Sequence, residues 1–286
     1  MYHYHKFFKN DMQMYLNIRA LSLSIAVLVL LASSLMPSAY SKEAEKELSI
    51  GERFHRETSL TWLGVIGDLF RGKPEMPPQY KNYPDSKVIK LPKPAYQGMS
   101  LEKTIEKRRS VRNYSGKPLT LPQLSQLLFS AQGITGKLYD QPLRTVPSAG
   151  ALYPFEIYIV ANNVEGMTLG IYHYVVLNHS LELVKSGDFR KEITAAGLEQ
   201  EMLGDADVTF VLSAISDRVR HKYDERGFCY VYLEAGHISQ NIYLQAVSLG
   251  LGSVSIGAFL DEEINKLIGI DGRTEAVIYL HAVGTL

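Results

Sequence analysis

The chain has 286 residues, 46% hydrophobic and 21% charged, with 30 basic side chains against 30 acidic ones and a formal net charge of zero. That length allows one or two domains around a sizeable core, and the lack of a basic excess argues against a dedicated nucleic-acid binder. A single cysteine, Cys229, excludes an intrachain disulfide and a cysteine-based metal site.

The first feature along the chain is an uncharged apolar run, ALSLSIAVLVLLASSLM, from Ala20 to Met36. Arg19 precedes it, and the small residues Ala39 and Ser41 suit a signal-peptidase site ahead of Lys42. The run is at the short end for a bilayer span. Residues 1–41 are therefore expected to be an export signal or a membrane anchor. Either one leaves the folded part outside the cytoplasm, because the positive flank stays inside.

Residues 42–99 are expected to form an extended N-terminal segment. Its first part, 42–58, is charged and predicted helical. The stretch 71–94 is proline-rich without periodicity and reads as chain laid over a domain surface.

Regular patterning begins at Ser100, and one domain is expected over 100–286. SLEKTIEKRRS predicts a short helix with Ser100 as N-cap, ending near Ser110. TLPQLSQLLFSAQGI predicts a second helix, with Thr120 and Gln123 forming a capping box and Gly133 ending it. FEIYIVA (Phe155–Ala161) reads as a strand, and GIYHYVVLNHSLELVK as two strands around a turn at Asn178–Ser180. ADVTFVLSAI (Ala206–Ile215) is apolar almost throughout, the mark of a central strand covered on both faces. Phe228–Gly252 is a long helix with apolar residues on several sides, so it is expected to be buried most of the way round. A short strand and turn at GSVSIGAF, a helix capped by Asp261 and a last strand at EAVIYLHAVG complete the pattern. Strands and helices mix without strict βαβ alternation, so the class is α+β.

Four stretches could carry chemistry. EKRRSVRNY (Glu106–Tyr114) gathers Arg108, Arg109, Ser110 and Arg112, which suits a phosphate but also a solvated helix end. On a continuing helix, Arg108 and Arg112 would share a face. Neither a GxGxxG nor a GxxxxGK[ST] pattern is present to bind phosphate in its place. RTVPSAGALYPFEIY places Pro147, Ser148, Ala149 and Gly150 before a strand, where small residues let backbone amides approach a flat ligand, or simply form a tight loop. SIGAF (Ser255–Phe259) is a glycine turn that could present backbone N–H groups. RVRHKYDERGF sets Lys222 beside Tyr223 among other basic groups, a candidate proton-transfer pair or a charged surface loop. Taken singly, each stretch leaves its plainer reading open.

Together and in order, the four resemble the nitroreductase superfamily, and most closely its SagB-type dehydrogenase branch, whose members are FMN enzymes of thiazole and oxazole formation in peptides. The resemblance spans residues 50–286. It rests on Arg108, Arg109, Ser110, Arg112 and Tyr114, on the loop Pro147, Ser148, Ala149, Gly150, Tyr153, Pro154 and Glu156, and on the Lys222–Tyr223 pair. The helix EAGHISQNIYLQAVSLGLGS and the IGAF turn follow in the same order. It implies an α+β fold with a mixed or antiparallel central sheet flanked by helices, and a homodimer with FMN at the subunit interface. It implies that Arg108, Arg109, Ser110 and Arg112 hold the FMN phosphate and ribityl chain. Pro147, Ser148, Ala149 and Gly150 would lie along the flavin ring, and Ile256, Gly257 and Ala258 would approach its N5 edge. Lys222 and Tyr223 correspond to the pair that removes a proton. The implied substrate is a small molecule or peptide, with a nitro- or quinone reductase, or a flavin-free binding protein, as the alternatives. Two positions depart from the pattern. Cys229 stands where an arginine is frequent, and Thr285 follows Val283–Gly284 where a basic residue is frequent.

Overall fold

A computed structural model describes residues 48–61 and 72–286. The apolar run at 20–36 and the rest of the expected signal or anchor lie outside the described residues. The chain divides into one unit ending at His55 and a larger one from Arg56 to Leu286. Helix α1 (Ile50–Glu57) spans the division.

The larger unit is built on a seven-stranded sheet of order β1-β6-β5-β4-β7-β9-β8. Its strands are β1 (Val88–Lys90), β4 (Phe155–Ala161), β5 (Gly170–Val175), β6 (Ser180–Ser186), β7 (Val208–Ala214), β8 (Leu251–Ile256) and β9 (Ala276–Thr285). Every neighbouring pair is antiparallel. Two further strands, β2 (Ile134–Leu138) and β3 (Gln141–Arg144), form a separate hairpin.

The strand sequences explain how the sheet is covered. In β4, Phe155, Ile157 and Ile159 face one core and Tyr158 and Val160 the other, following the two-residue period of a strand. β7 lies between β4 and β9, and all seven of its residues are buried, as its nearly continuous apolar run predicts. On one face pack α3 (Leu121–Gln132) and α7 (Gly227–Ser248), through Leu124, Leu127, Leu128, Val231, Ile238 and Ile242. On the other pack α4 (Arg190–Ala196), α5 (Met202–Asp205) and α8 (Asp261–Ile268), through Ile193, Leu203, Ile264 and Ile268. The remaining helices are α2 (Leu101–Lys107) and α6 (Asp217–Tyr223).

Local signals set several boundaries. The capping box of α3 forms as expected, with the Thr120 side chain accepting from the Gln123 N–H and the Gln123 side chain accepting from the Thr120 N–H. Ser100 caps α2 by accepting from Lys103 N. The α2 helix nevertheless stops at Lys107, because Arg108 adopts an extended ψ of 125°. Arg108 and Arg112 therefore share no helix face. The N-cap of α8 is Leu260, without a side-chain cap bond, and Asp261 sits inside its first turn. The long helix is also not buried all round in the single chain. Val231, Ala235, Ile238 and Ile242 face the core, while Tyr232 and Leu233 stand 57% and 60% exposed.

Residues 72–99 cross the surface of the larger unit. Pro78 O accepts from Arg218 Nε at 2.8 Å, β1 pairs with β6, Ala95 N donates to Gln126 Oε1 at 2.8 Å and Met99 N donates to Ser248 Oγ at 3.0 Å. Lys81 Nζ reaches both Glu275 Oε2, at 2.5 Å, and Tyr158 Oη, at 2.8 Å.

Candidate active site

The arginine-bearing segment leaves α2 and runs along the β8–β9 edge. Val111 N donates to Ser253 O at 2.9 Å and Ser115 N to Thr285 O at 2.8 Å. This close approach needs the paired glycines Gly252 and Gly284. A Cβ on Gly252 would lie 2.9 Å from Val111 Cγ1, and one on Gly284 would lie 2.5 Å from the Tyr114 ring. Docking in this way presents the cluster beside α7. The Arg108 guanidinium lies 5.1 Å from the Tyr243 ring centroid, and Ser110 Oγ is 3.1 Å from Tyr243 Oη. Tyr243 Oη also accepts from Ser255 N at 2.8 Å, which ties the cluster to the residue just before Ile256, Gly257 and Ala258. Burial pushes the Tyr243 phenol up, but hydrogen bonds with Ser110 and Ser255 and the Arg108 charge outweigh it and hold it below the usual tyrosine value. Arg109 turns back to donate to Glu106 O and Arg108 O, closing the C-terminus of α2. Among the described residues, Arg108, Arg109 and Arg112 have no carboxylate partner.

A second group gathers at the other end of α7. The loop Pro147–Tyr153 is tightly wound, with positive φ at Gly150 (63°), Ala151 (54°) and Tyr153 (44°). Ser148 Oγ accepts from Tyr153 N at 2.9 Å, and Tyr153 Oη accepts from Arg144 N at 3.0 Å. Lys222 and Tyr223 end α6, and both head groups converge on Gly150. A Cβ there would lie 3.0 Å from Tyr223 Oη and 3.2 Å from Lys222 Nζ. Tyr223 packs edge-on against Tyr230 at 5.0 Å. Neither Tyr223 Oη nor Lys222 Nζ has a hydrogen-bond partner among the described residues. The Pro147–Gly150 loop and the Lys222–Tyr223 pair, some 70 residues apart in sequence by their numbers, thus meet in space.

Behind the loop runs a buried relay that the sequence reading did not single out. Arg144 Nη1 donates to Gln132 Oε1 at 3.0 Å, and Gln132 Nε2 donates to Glu234 Oε1 at 3.5 Å. Glu234 is buried, and its carboxyl interacts with the Ser148 hydroxyl. Burial pushes it up to about 7, against weaker opposing effects of Ser148, Arg144 and Gln132. The Arg144 guanidinium stacks 4.6 Å from the Tyr153 ring, with its Nε unpartnered. The available signal was position: Glu234 interrupts the apolar stripe of Val231, Ala235, Ile238 and Ile242 on α7. Tyr243 left none, since an aromatic at helical spacing reads as core.

The two groups occupy different ends of one helix. Glu234, beside Ser148, and Tyr243, beside Ser110, are nine residues apart, about 14 Å along the helix axis. One end offers guanidiniums without carboxylate partners and a hydroxyl, the donor set for a phosphate. The other offers a small-residue loop, held open by a glycine, with a phenol and an ammonium aimed at it. Each suits one part of a phosphate-bearing flat ligand. Among the described residues, no group of three His, Cys, Asp or Glu side chains could hold a metal ion. No helix there is long and apolar enough to cross a membrane.

Comparison with known proteins identifies the family. Residues 105–285 match the nitroreductase family. A protein of Methanocaldococcus jannaschii named as a nitroreductase is 42% identical over 186 residues, covering 65% of this chain and 91% of that protein. The microcin B17-processing protein of Escherichia coli is 30% identical over 146 residues, 49% of this chain and 54% of its own. A crystal structure described as a nitroreductase from Anabaena variabilis superimposes with a TM-score of 0.67 at 30% identity, covering 87% of this chain and 50% of that one. The chain thus spans about half the length of the last two. With the match to the family running over most of the chain and through both ends of the site, the protein belongs to the nitroreductase family, whose members typically bind FMN.

Proposed function

We propose that the chain is an FMN-dependent oxidoreductase of the SagB type, removing hydride from a small-molecule or peptide substrate. The observation that carries this reading is the convergence of Lys222 Nζ and Tyr223 Oη on Gly150 with both head groups unbonded. FMN, when bound, supplies the two-electron acceptor. Arg108, Arg109, Ser110 and Arg112 hold its phosphate and ribityl chain by charge-assisted hydrogen bonds. Pro147–Gly150 and the backbone of Ile256, Gly257 and Ala258 border its ring. Tyr223 is the group that takes the proton from the substrate carbon, and the Lys222 ammonium faces the negative charge that proton loss creates. For an azoline, loss of that proton and one hydride leaves an aromatic azole. The microcin-processing relative supports this choice of substrate.

The site is completed by a second copy of the chain. Two observations support this: the donor set and the proton-transfer pair sit at opposite ends of α7, and the helix leaves Tyr232 and Leu233 exposed between them. An antiparallel pairing of α7 with its copy brings unlike ends together. The apolar run at 20–36 supports export or anchoring of the domain outside the cytoplasm, which the N-terminal residue of the mature protein and its partition into membranes would test.

A second reading, reduction of nitro compounds or quinones by NAD(P)H, is favoured by the 42% identity to the Methanocaldococcus protein. Anaerobic mixing separates the two. The FMN-loaded protein should keep its flavin absorbance near ~450 nm with NADH or NADPH and lose it with an azoline peptide. Rapid bleaching by NAD(P)H alone would assign the reductase instead, and protein that takes up no FMN would end both readings.

A further inference from the structure

Helix α6 carries Lys222 and Tyr223; Arg218 and Val219 seat its first turns in the core, but nothing in its own caps fixes its last turn. The helix is seven residues long, its N-cap Ser216 makes no side-chain cap bond, and Asp224 breaks it off at φ 47° and ψ −139°. A helix this short is not stable alone. It is held from outside by residues 73–78 of the N-terminal segment. Lys73 Nζ donates to Lys222 O at 3.1 Å and lies 3.9 Å from the Asp224 carboxylate. His221 Nδ1 is 2.8 Å from Pro74 O, which can only accept, so this nitrogen carries the proton. Arg218 Nε donates to Pro78 O at 2.8 Å, while its other end pairs with Glu156 in the sheet.

The three gripped residues, 218, 221 and 222, are spaced three and four apart and so share one side of the helix. These contacts oppose rolling and sliding of α6, whose last turn brings Lys222 Nζ and Tyr223 Oη to Gly150. The Lys73 ammonium also satisfies a carbonyl that the helix end leaves open, where a positive charge is favoured. The grip lies outside the residues matched by the nitroreductase family, which begin at Ile105.

We infer that residues 73–78 are part of the site: Lys73 and the Pro74 and Pro78 carbonyls are positioning groups that set the direction of the Lys222–Tyr223 pair. That this pair is the proton-transfer pair rests on the function proposed above. The positioning itself does not.

The test uses the full-length chain with 3-fluorotyrosine incorporated only at position 223, read by fluorine NMR alongside the thermal midpoint. The parent should give one narrow resonance. Lys73→Met should shift or split it by more than its width, and Lys73→Arg, which keeps the donor, should restore it. The double variant Pro74→Gly/Pro78→Gly keeps both carbonyls but loosens the strap, and should broaden the signal. A strap that merely adds stability would lower the midpoint and leave the folded-state resonance where it was. Superimposable resonances in Lys73→Met and in the double variant would therefore overturn the inference. No flavin is needed for this measurement, so a chain that failed to bind FMN would refute the proposed function and leave this result standing.

Discussion

Arg218 Nη2 lies 2.7 Å from Glu156 Oε1, and both side chains are buried. The carboxylate also meets His173 Nε2 at 2.8 Å through its other oxygen. Burial raises the Glu156 pKa, but its bonds to His173 and Arg218 overcome this and hold it below the ordinary carboxylate value. Breaking one side of such a pair leaves a buried charge uncompensated. Arg218→Met should cost about 3–5 kcal/mol of unfolding free energy. The double variant Arg218→Met/Glu156→Gln should recover much of it. Urea unfolding decides the matter, and a loss near zero in the single variant would contradict the geometry.

Glu234 gives a pH dependence of definite sign. Burial raises it from 4.5 to about 7, so the folded chain holds this proton more tightly than the unfolded chain. Its contribution to stability is complete below pH 4.5 and is lost as pH rises to about 7. Glu234→Gln, which cannot ionise, should gain on the parent across that window, by roughly 3 kcal/mol at pH 8. Denaturant titrations at stepped pH would read the difference. A difference that stays constant with pH would show that Glu234 titrates normally.

Arg112 is exposed and without an ion-pair partner among the described residues, so removing it should leave the fold intact. Arg112→Ala should weaken FMN binding by roughly 1.5–3 kcal/mol, the scale of a charged hydrogen bond. Quenching of flavin fluorescence measures this directly. Unchanged affinity would move the phosphate away from this segment.

Gly150 holds φ at +63°, where a side chain is strained, and a Cβ would meet Tyr223 Oη at 3.0 Å. Gly150→Ala should cost about 1–2 kcal/mol from the backbone alone. It should also displace the phenol and the ammonium, lowering turnover more than FMN affinity. Equal losses in both would place the pair away from the reacting carbon.

Leu233 stands 60% exposed on the outward side of α7. Leu233→Glu should turn a dimeric protein into monomers in sedimentation velocity, with FMN affinity falling at the same time. If the parent is itself monomeric at micromolar concentration and still binds FMN, a single chain suffices for the site.

Much of this was legible in the residues, for local reasons. Thr120 and Gln123 specify a helix start through bonds only three residues apart, and the apolar continuity of Val208–Ala214 reports burial on both faces. The convergence of Lys222 and Tyr223 on Gly150 was not readable from periodicity; the resemblance gave only the order of the two stretches along the chain. What misled was helix continuation. Nothing local in KRRSVR stops a helix at Lys107, and the stop comes from docking onto β8, which depends on Gly252 and Gly284 far down the chain. The pattern of α7 does not tell its own core from an outer face, since Tyr232 and Leu233 look like core in sequence and face outward in the single chain. The Arg144–Gln132–Glu234 relay joins β3, α3 and α7, and no spacing rule connects them.

The strap also decides where a mechanical load would arrive. Tension entering at Gly72 would bear on the Lys73–Lys222 hydrogen bond first, then on the bonds at Pro74 and Pro78, and only later on the three-residue β1–β6 ladder. These contacts would open one after another, as a zip does, and not together. A modest pull would therefore slacken α6 while the seven-stranded sheet stayed closed, and would turn Lys222 and Tyr223 away from Gly150 without unfolding the protein.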